Sequence, residues 1–470
     1  MSGISEQPLG SRGYRTWMML LLVLVYASSS LDRLILATLS EALKKDLLIS
    51  DFQFGLLGGI VFAVLYTLGG IPIARAADRL PRLPILSAAI AVWSAMTALS
   101  GFASNFIHLM MMRVGVSLGE AGCSPTAYSL LSDQYPPRGR AGAAAILGLG
   151  VPLGSMAGSF LGGWASEHAS WRDAFFIAGA PGLVLALLVL VTLREPPRGM
   201  FDPAKLRAQA TPPFAEVLRR IGAKPAYLHM MAAAALCIFC NNGLNLFLPS
   251  FFVRVHHLGQ FEAGKYFGIM IGVAAAVGTT GLGLAIGRLG RRDPRWYGWA
   301  PALVMVAGVP LYVIGLLADS FSVTYPLLFI ATCIGFAFLG PVVGATQNMM
   351  EPRMRASAAA VLLLAMHLGG GGTGPSFTGW ASDVLAARHF VGDYALSCPG
   401  GRAPADAVAS LAAACADASG QGLRDALILC ALVFLWAAFH SFMAARTIRA
   451  DLLPRAEEPS GDEHRQEAQA

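Results

Sequence analysis

Two pairs of opposite charges lie inside long apolar runs of this sequence. Asp32 and Arg33 are adjacent in one run, and Arg113 and Glu120 lie seven residues apart in another. An ionised side chain at the centre of a membrane-spanning helix costs about 2.5–3.5 kcal/mol on insertion scales. Such residues usually face a partner or a water-filled cavity, so these four mark a candidate site of proton or substrate handling.

The spacing of these charges predicts how they face one another. On an α-helix, Arg113 and Glu120 share one face about 10 Å apart, whereas Asp32 and Arg33 point about 100° apart. A carboxylate beside a guanidinium stays ionised until that cation is drawn away or the site is desolvated. We predict that Asp32 and Glu120 carry protons and that Arg33 and Arg113 modulate them or hold an anionic group. The alternative is a static ion-pair cluster that locks two helices together.

Neutral polar side chains occupy the corresponding region of the second half of the chain. A loop motif described below occurs twice in the chain, with 209 residues between the copies. At the same offset, Asn241 and Asn242 align with Asp32 and Arg33 of the first half. We expect neutral polar contacts to a substrate from these two residues and from Asn245. Gln347 and His367 are further candidates, although a lone His in a helix is also typical of a hydrogen-bonded packing residue.

Other reactive groups give no enzyme signature. The sequence has no metal-ligand cluster, nucleophile elbow or pair of carboxylates on one loop, so we predict no enzyme activity, no cofactor and no metal. Cys237 and Cys240 lie inside an apolar run and read as small core residues. Cys398 and Cys415 share one polar loop, where a disulfide is expected if that side is oxidising.

The composition predicts the elements that must position these residues. The chain is 55% hydrophobic and 13% charged, whereas soluble domains carry about 25% charged residues. Apolar runs of about 20 residues span a bilayer as helices. We therefore predict an all-α integral membrane protein with twelve transmembrane helices. They cover 17–43, 54–74, 84–104, 106–131, 141–165, 171–193, 226–253, 262–286, 298–318, 325–349, 357–381 and 423–446.

The placement of Lys and Arg predicts the orientation. Most of the 34 basic residues fall in the termini and in the loops from even-numbered to odd-numbered helices. Basic loops resist translocation, so both termini should be cytoplasmic, in a bacterial inner membrane. This placement explains the net charge of +6 without a nucleic-acid partner. Arg12 and Arg15 before the first apolar run also resemble a signal peptide, but its removal would leave an odd number of helices.

Internal repeats divide the chain into two related halves. Residues 137–146 match residues 352–361 at seven of ten positions, and Gly163-Trp-Ala-Ser-Glu167 recurs as Gly379-Trp-Ala-Ser-Asp383. A shift of six helices keeps the orientation, so the halves are parallel repeats with a binding site between them near mid-membrane. The predicted divisions are a first bundle 1–193, a cytoplasmic linker 194–225, a second bundle 226–446 with an outer loop 382–422, and a cytoplasmic tail 447–470.

Two glycine-rich stretches predict how particular helices pack. Gly150, Gly154, Gly158 and Gly162 lie four residues apart on helix 5, and such a stripe lets another helix approach closely. The run 369–372 in helix 11 is typical either of a bending gate or of another close packing contact.

One loop motif occurs in both halves and resembles a known family. The loop after helix 2 contains Asp78-Arg79-Leu-Pro-Arg82, and the loop after helix 8 reads Gly287-Arg288-Leu-Gly-Arg291-Arg292. Both resemble the signature G-x-L-A-D-R-x-G-R-[RK] of the major facilitator superfamily, although Gly287 replaces the acid in the second copy.

In that family this loop is an inner gate, which implies such a role for Asp78, Arg79 and Arg82. The start of helix 11 offers unpaired amides and a positive dipole that can stabilise Asp78. Arg79 or Arg82 could then pair with Asp133 at the inner end of helix 4. The alternative is that these charges only set the topology.

The intramembrane charges narrow the resemblance to one family within this superfamily. Ser-Leu-Asp32-Arg33 in helix 1 and Arg113-Val-Gly-Val-Ser-Leu-Gly-Glu120-Ala-Gly in helix 4 are similar to the Spinster family, which includes proton-linked transporters of sphingosine phosphate and lysophospholipids. The resemblance implies a monomeric, proton-coupled transporter that works by alternating access among membrane lipids. Its substrate would be an amphipathic or anionic solute such as a lysolipid or sphingolipid. The alternatives are an organic-anion or drug transporter of the same superfamily, and a non-transporting membrane sensor.

Overall fold

The computed structural model describes residues 11–198, 212–351 and 353–452, and the regular elements in these ranges are helices. Eleven helices there are long and apolar enough to span a membrane. Helices 1–3 are Arg12–Thr38, Asp51–Ala77 and Arg82–Ser100; helices 5–8 are Gly142–His168, Trp171–Thr192, Pro225–His256 and Gln260–Arg292; helices 9–12 are Trp296–Leu317, Phe321–Asn348, Arg355–His389 and Ala409–Asp451. Helix 4 consists of two segments, Phe106–Glu120 and Cys123–Gln134. The predicted all-α membrane fold is therefore confirmed.

Helix 4 is broken where the sequence predicts one continuous helix. The first segment ends at Glu120 and the second begins at Cys123. Pro125 has no amide hydrogen, and its ring crowds the carbonyl of Ala121, four residues earlier. The break therefore places Glu120 at a helix end, deep in the bundle.

Several predicted boundaries differ from the structure; helix 11, for example, runs to His389 instead of residue 381. Helix 1 ends at Thr38 and is followed by a short helix, Ser40–Leu47, instead of running to residue 43. Helix 12 begins at Ala409 instead of residue 423, because an alanine-rich segment favours helix even where it is not apolar enough to suggest a membrane span. The remaining segment, 390–408, carries Cys398, which forms a disulfide with Cys415.

Close backbone contacts organise each half in the same way. A methyl group added to Gly154 would overlap the carbonyl oxygen of Ala27, and one on Gly158 would lie 2.5 Å from that of Leu31. Helices 1 and 5 therefore touch along the predicted glycine stripe. In the second half, methyl groups on Gly370 and Gly374 of helix 11 would overlap carbonyl oxygens of helix 7. The glycine run of helix 11 thus includes a packing contact, within a π-helical segment Ala365–Gly372.

The two ends of the bundle differ. We name them inner and outer after the charge-based orientation. At the outer end, helix 2 contacts helix 11 and helix 5 contacts helix 8 across the halves. Towards the inner end, a cavity separates the halves, and its wall includes Tyr128, Ala145 and Leu339 near the inner ends of their helices. The conformation is closed outside and open inside.

The close contact of helices 1 and 5 predicts the effect of a single methyl group. Gly154→Ala should destabilise the protein by about 1–3 kcal/mol, because overpacking displaces the backbone of helix 1. Thermal unfolding in detergent would measure this change. Gly148→Ala is the matched control, because nothing lies within 4 Å of its added methyl group, and its melting temperature should not fall. Equal melting of both variants would contradict the packing argument.

Candidate functional site

A cavity of about 880 Å³ lies between the two halves. Its charged wall comes from the first half, through Arg33 on helix 1 and Arg113 and Glu120 on helix 4. Its second-half wall is neutral and includes Asn242, Asn245 and His367, together with small and apolar residues of helices 8 and 10. The volume falls within the range of about 300–1,000 Å³ that is typical of small-molecule sites.

An ion pair between Arg33 and Glu120 lies in this wall. Nε and Nη2 of Arg33 lie 2.6 and 2.5 Å from Oε2 of Glu120. The Arg33 side chain is 38% exposed, whereas that of Glu120 is fully buried. Among the described residues, Oε1 of Glu120 has no hydrogen-bond partner. Both members of the pair therefore line the cavity, and Arg33 is the one whose side chain is exposed in it.

Two aromatic rings of helix 2 hold the guanidinium groups. The Arg33 guanidinium lies 5.2 Å from the ring centre of Phe62 and 5.3 Å from that of Tyr66. The Arg113 guanidinium also lies 5.2 Å from the Phe62 ring. These distances allow cation–π attraction, which is stronger in a desolvated site. Phe62 thus contacts both cations.

Asp32 lies behind the wall and faces helix 3. It is 1% exposed, and its Oδ2 accepts a hydrogen bond of 3.0 Å from Thr97. Its Oδ1 has no hydrogen-bond partner in the described part of the chain. Arg113, also buried, donates a long contact of 3.5 Å to the main-chain oxygen of Asp32. The structure therefore brings all four predicted charges together, although the ion pair it describes among them is that of Arg33 with Glu120.

The neutral candidates divide into two groups. Asn242, Asn245 and His367 line the cavity, and the His367 ring lies 5.7 Å from Tyr66. Asn241 is buried and donates to the carbonyl oxygens of Cys237 and Gly335 at 3.0 and 2.8 Å, so it joins helix 7 to helix 10. Gln347 is exposed near the inner end of helix 10 and lies outside the cavity wall.

Phe62, Tyr66 and Thr97 are site residues that the sequence analysis missed. Phe62 and Tyr66 are spaced four residues apart, which places them on one helical face. That spacing is a usable signal, but aromatic pairs on apolar helices more often serve packing. Thr97 has no signal in the sequence, because its role depends on the contact between helices 1 and 3.

A buried arginine organises the inner end of the first half. Arg82 forms an ion pair with Asp133 and another, of 2.7 Å, with Glu195. It also donates to Ser129 Oγ at 2.9 Å. Arg82, rather than the exposed Arg79, therefore makes the predicted contact with Asp133. These contacts join helices 3 and 4 to the start of the linker and do not cross to the second half.

The remaining inner-gate candidate is Asp78. Its side chain lies outside the described part of the structure, so its contact with helix 11 stays a prediction.

Glu195 was not identified from the sequence. Its carboxylate accepts hydrogen bonds of 3.0 Å from the amides of Arg82 and Leu83, and so caps the start of helix 3.

A second charge cluster closes the outer end and was also missed. Arg254 of helix 7 lies 2.9 Å from Glu41 and 2.8 Å from Asp51, which also pairs with Lys44. Arg402 of the outer loop lies 2.7 Å from Glu41. Burial alone would raise the pKa of Glu41, but the two guanidinium groups outweigh it and hold that pKa below its ordinary value. The cluster joins the two halves.

Residues 18–375 match the family model described as Major Facilitator Superfamily. The chain belongs to the major facilitator superfamily. It resembles a crystal structure described as a bacterial homolog to human lysosomal transporter, Spinster, in an inward-facing and unoccupied conformation. The TM-score is 0.86 at 32% identity, and the match covers 95% of this chain and all of that one.

Named relatives agree with this family. An MFS-type efflux pump of Mycolicibacterium smegmatis is 31% identical over 77% of this chain and 83% of its own length. The sphingosine-1-phosphate transporter SPNS2 of Danio rerio is 25% identical over 76% of this chain and 73% of its own length. The protein is thus a Spinster-like transporter in a membrane, not an enzyme, and it carries a small-molecule substrate.

The Arg82 contacts predict that lysine cannot replace this residue in the Spinster-like transporter. Arg82→Lys keeps the charge but removes the planar fork of donors. Each lost hydrogen bond to a charged group costs about 1.5–3 kcal/mol, so the melting temperature should fall. Arg79→Lys at the exposed neighbour is the control and should melt like the unchanged protein. An unaltered melting temperature in R82K would show that the cluster contributes little stability.

Proposed function

We propose that this protein is a proton-coupled transporter that works by alternating access and moves an amphipathic or anionic solute, with a lysolipid or sphingolipid as the first candidate. The observation that carries the proposal is the Arg33–Glu120 ion pair in the wall of a cavity between the halves. The cation of this pair is exposed to the cavity, whereas the carboxylate beside it is almost completely buried.

This arrangement suggests how a proton and an anion are coupled. An anionic headgroup that engages the exposed Arg33 draws its guanidinium away from Glu120. A buried carboxylate that loses its cation favours the protonated form. Binding of the anion and binding of the proton are then mutually favourable, and by linkage each increases the affinity for the other. Asp32, beside Arg113, is the second proposed proton carrier.

The cavity wall also supports an amphipathic substrate. Its charges come from helices 1 and 4, whereas helices 5, 8 and 10 contribute apolar side chains, including Leu149, Ile271 and Phe336. A headgroup can bind at the charged side while a tail contacts the apolar side. Asn242, Asn245 and His367 would supply neutral polar contacts. The name of the Danio rerio relative, a sphingosine-1-phosphate transporter, is consistent with this division.

The orientation in the membrane is inferred from the placement of basic residues, and the division into two bundles from the internal repeat. We infer that both termini are cytoplasmic, in a bacterial inner membrane, because the basic residues cluster in the loops named inner here. The monomer is inferred from the family resemblance alone. The proposal divides the chain into two bundles, 1–193 and 226–446, joined by the linker 194–225. In it the site lies between the bundles, and protons reach it from either side in turn.

Proton coupling predicts the behaviour of Glu120→Gln, which mimics the protonated carboxyl. One coupled proton supports about tenfold accumulation per pH unit, because 1.4 kcal/mol is a factor of ten. E120Q should lose this pH-driven accumulation of lysophosphatidylglycerol in proteoliposomes while it retains substrate exchange. Asp32→Asn should show the same loss.

The matched control is Asp46→Asn, an exposed outer carboxylate that pairs with Arg172 within the same half at 2.5 Å. It should transport like the unchanged protein. If E120Q and D32N both keep full pH-driven accumulation, neither carboxylate couples the proton. The proposal would then be wrong about the mechanism even if the substrate were right.

A second candidate function is transport of an organic anion or drug. It is favoured by the relative named an MFS-type efflux pump, which is 31% identical to this chain. Because the exposed cation Arg33 would bind any small anion, the charged wall alone does not separate the two substrates. We expect lysophosphatidylglycerol to be transported under an imposed pH gradient and glucuronate not. Transport of glucuronate without the lysolipid would select the second candidate.

A further inference from the structure

The repeated Gly-Trp-Ala-Ser-[Glu/Asp] motif ends in an acid at the outer end of each half. Oε2 of Glu167, at the end of helix 5, accepts a hydrogen bond of 2.9 Å from the amide of Phe261. Asp383, on helix 11, accepts from the amides of Asp51 and Phe52 at 3.1 and 2.9 Å. Each carboxylate therefore caps the first turn of a helix that belongs to the other half.

The first glycine of the motif makes an equivalent contact in each half. A methyl group on Gly163 would lie 2.8 Å from the carbonyl oxygen of Gln260, and one on Gly379 would overlap that of Asp51. Asp51 and Gln260 are separated by 209 residues, as are Asp78 and Gly287 of the loop motif that follows helices 2 and 8. The contact of helix 5 with helix 8 and that of helix 11 with helix 2 are thus two copies of one interface. We call them the two outer seams.

The chemistry of these contacts suits a reversible closure. The first amides of a helix have no partner inside the helix, and its dipole is positive at that end. A carboxylate from another element satisfies both, but only while the two elements touch. When the halves separate at the outer end, these amides lose the carboxylate to water. Asp173, another outer carboxylate, instead caps its own helix through the amide of Ser170 at 3.1 Å.

We propose that Glu167 and Asp383 are paired gating residues of the transport cycle. Each holds one outer seam shut in the inward-open conformation, and release of both is a step of outward opening. They position the two halves and do not contact the substrate. This role is independent of the substrate and of proton coupling, so it can fail or hold separately from them.

The rate at which a buried thiol is alkylated can measure outer opening even when the open state is rare. Ala263, in helix 8 at the outer end, is 1% exposed and lies near Thr38 and Glu41 of the first half. A cysteine introduced as Ala263→Cys should react with a charged maleimide only when the outer end opens. The full chain in nanodiscs would be used, and the protein without A263C corrects for the native cysteines.

In this background, Glu167→Ala and Asp383→Ala should each raise the alkylation rate. The expected factor is about 2 to 30, the range for removal of a helix cap, and the double variant should exceed either one. Glu167→Gln and Asp383→Asn should give smaller increases because they keep an acceptor but lose the charge. Asp173→Ala is the matched control and should leave the rate unchanged.

Two kinds of alkylation result would contradict the gating proposal. Rates in E167A and D383A that match the D173A control would overturn the proposal. A rise that D173A shares, or one that comes with an equal acceleration of alkylation at a buried native thiol such as Cys237, would indicate general loosening and also contradict it. If D383A fails to assemble, E167A decides the outcome alone, because the Glu167 side chain is exposed.

Discussion

A carboxylate deep in a membrane bundle needs a cation, and Glu120 has one in Arg33. This requirement organises the site, because the pair draws helix 1 towards the break in helix 4 and places Phe62 and Tyr66 beneath the guanidinium. The cation is half-exposed and its partner is buried. A solute that binds Arg33 competes with Glu120 for that cation, and this competition is the basis of the coupling between an anion and a proton that we propose.

The two ends of the bundle differ in how the two halves contact each other. The outer end is held by contacts that cross the halves, including Arg254 with Glu41 and the two helix caps made by Glu167 and Asp383. At the inner end, the contacts described for Arg82 join residues of the first half and the start of the linker. Contacts that cross the halves at the outer end, and a cavity between the halves towards the inner end, fit a transporter that closes one side at a time.

Parts of this arrangement could be read directly from the chain. The helices, the parallel repeat and the four charges at mid-membrane all follow from hydropathy, spacing and the cost of burying charge, and the structure places these charges together. The glycine stripe of helix 5 likewise predicts its contact with helix 1. Asn241 shows the limit, because alignment of the halves suggests a substrate contact, yet its amide joins helix 7 to helix 10.

By itself, the sequence determined the membrane class, the twofold organisation and the identity of the charged residues, because each depends on composition and periodicity along one chain. The tertiary structure decided which charge meets which: that Arg33 faces the cavity while Asp32 turns to Thr97, and that Arg82 rather than Arg79 reaches Asp133. It also showed that the repeated acids cap helices across the halves. The physical reason is that an ion pair or a helix cap depends on distance and direction between different helices, and these are set by packing.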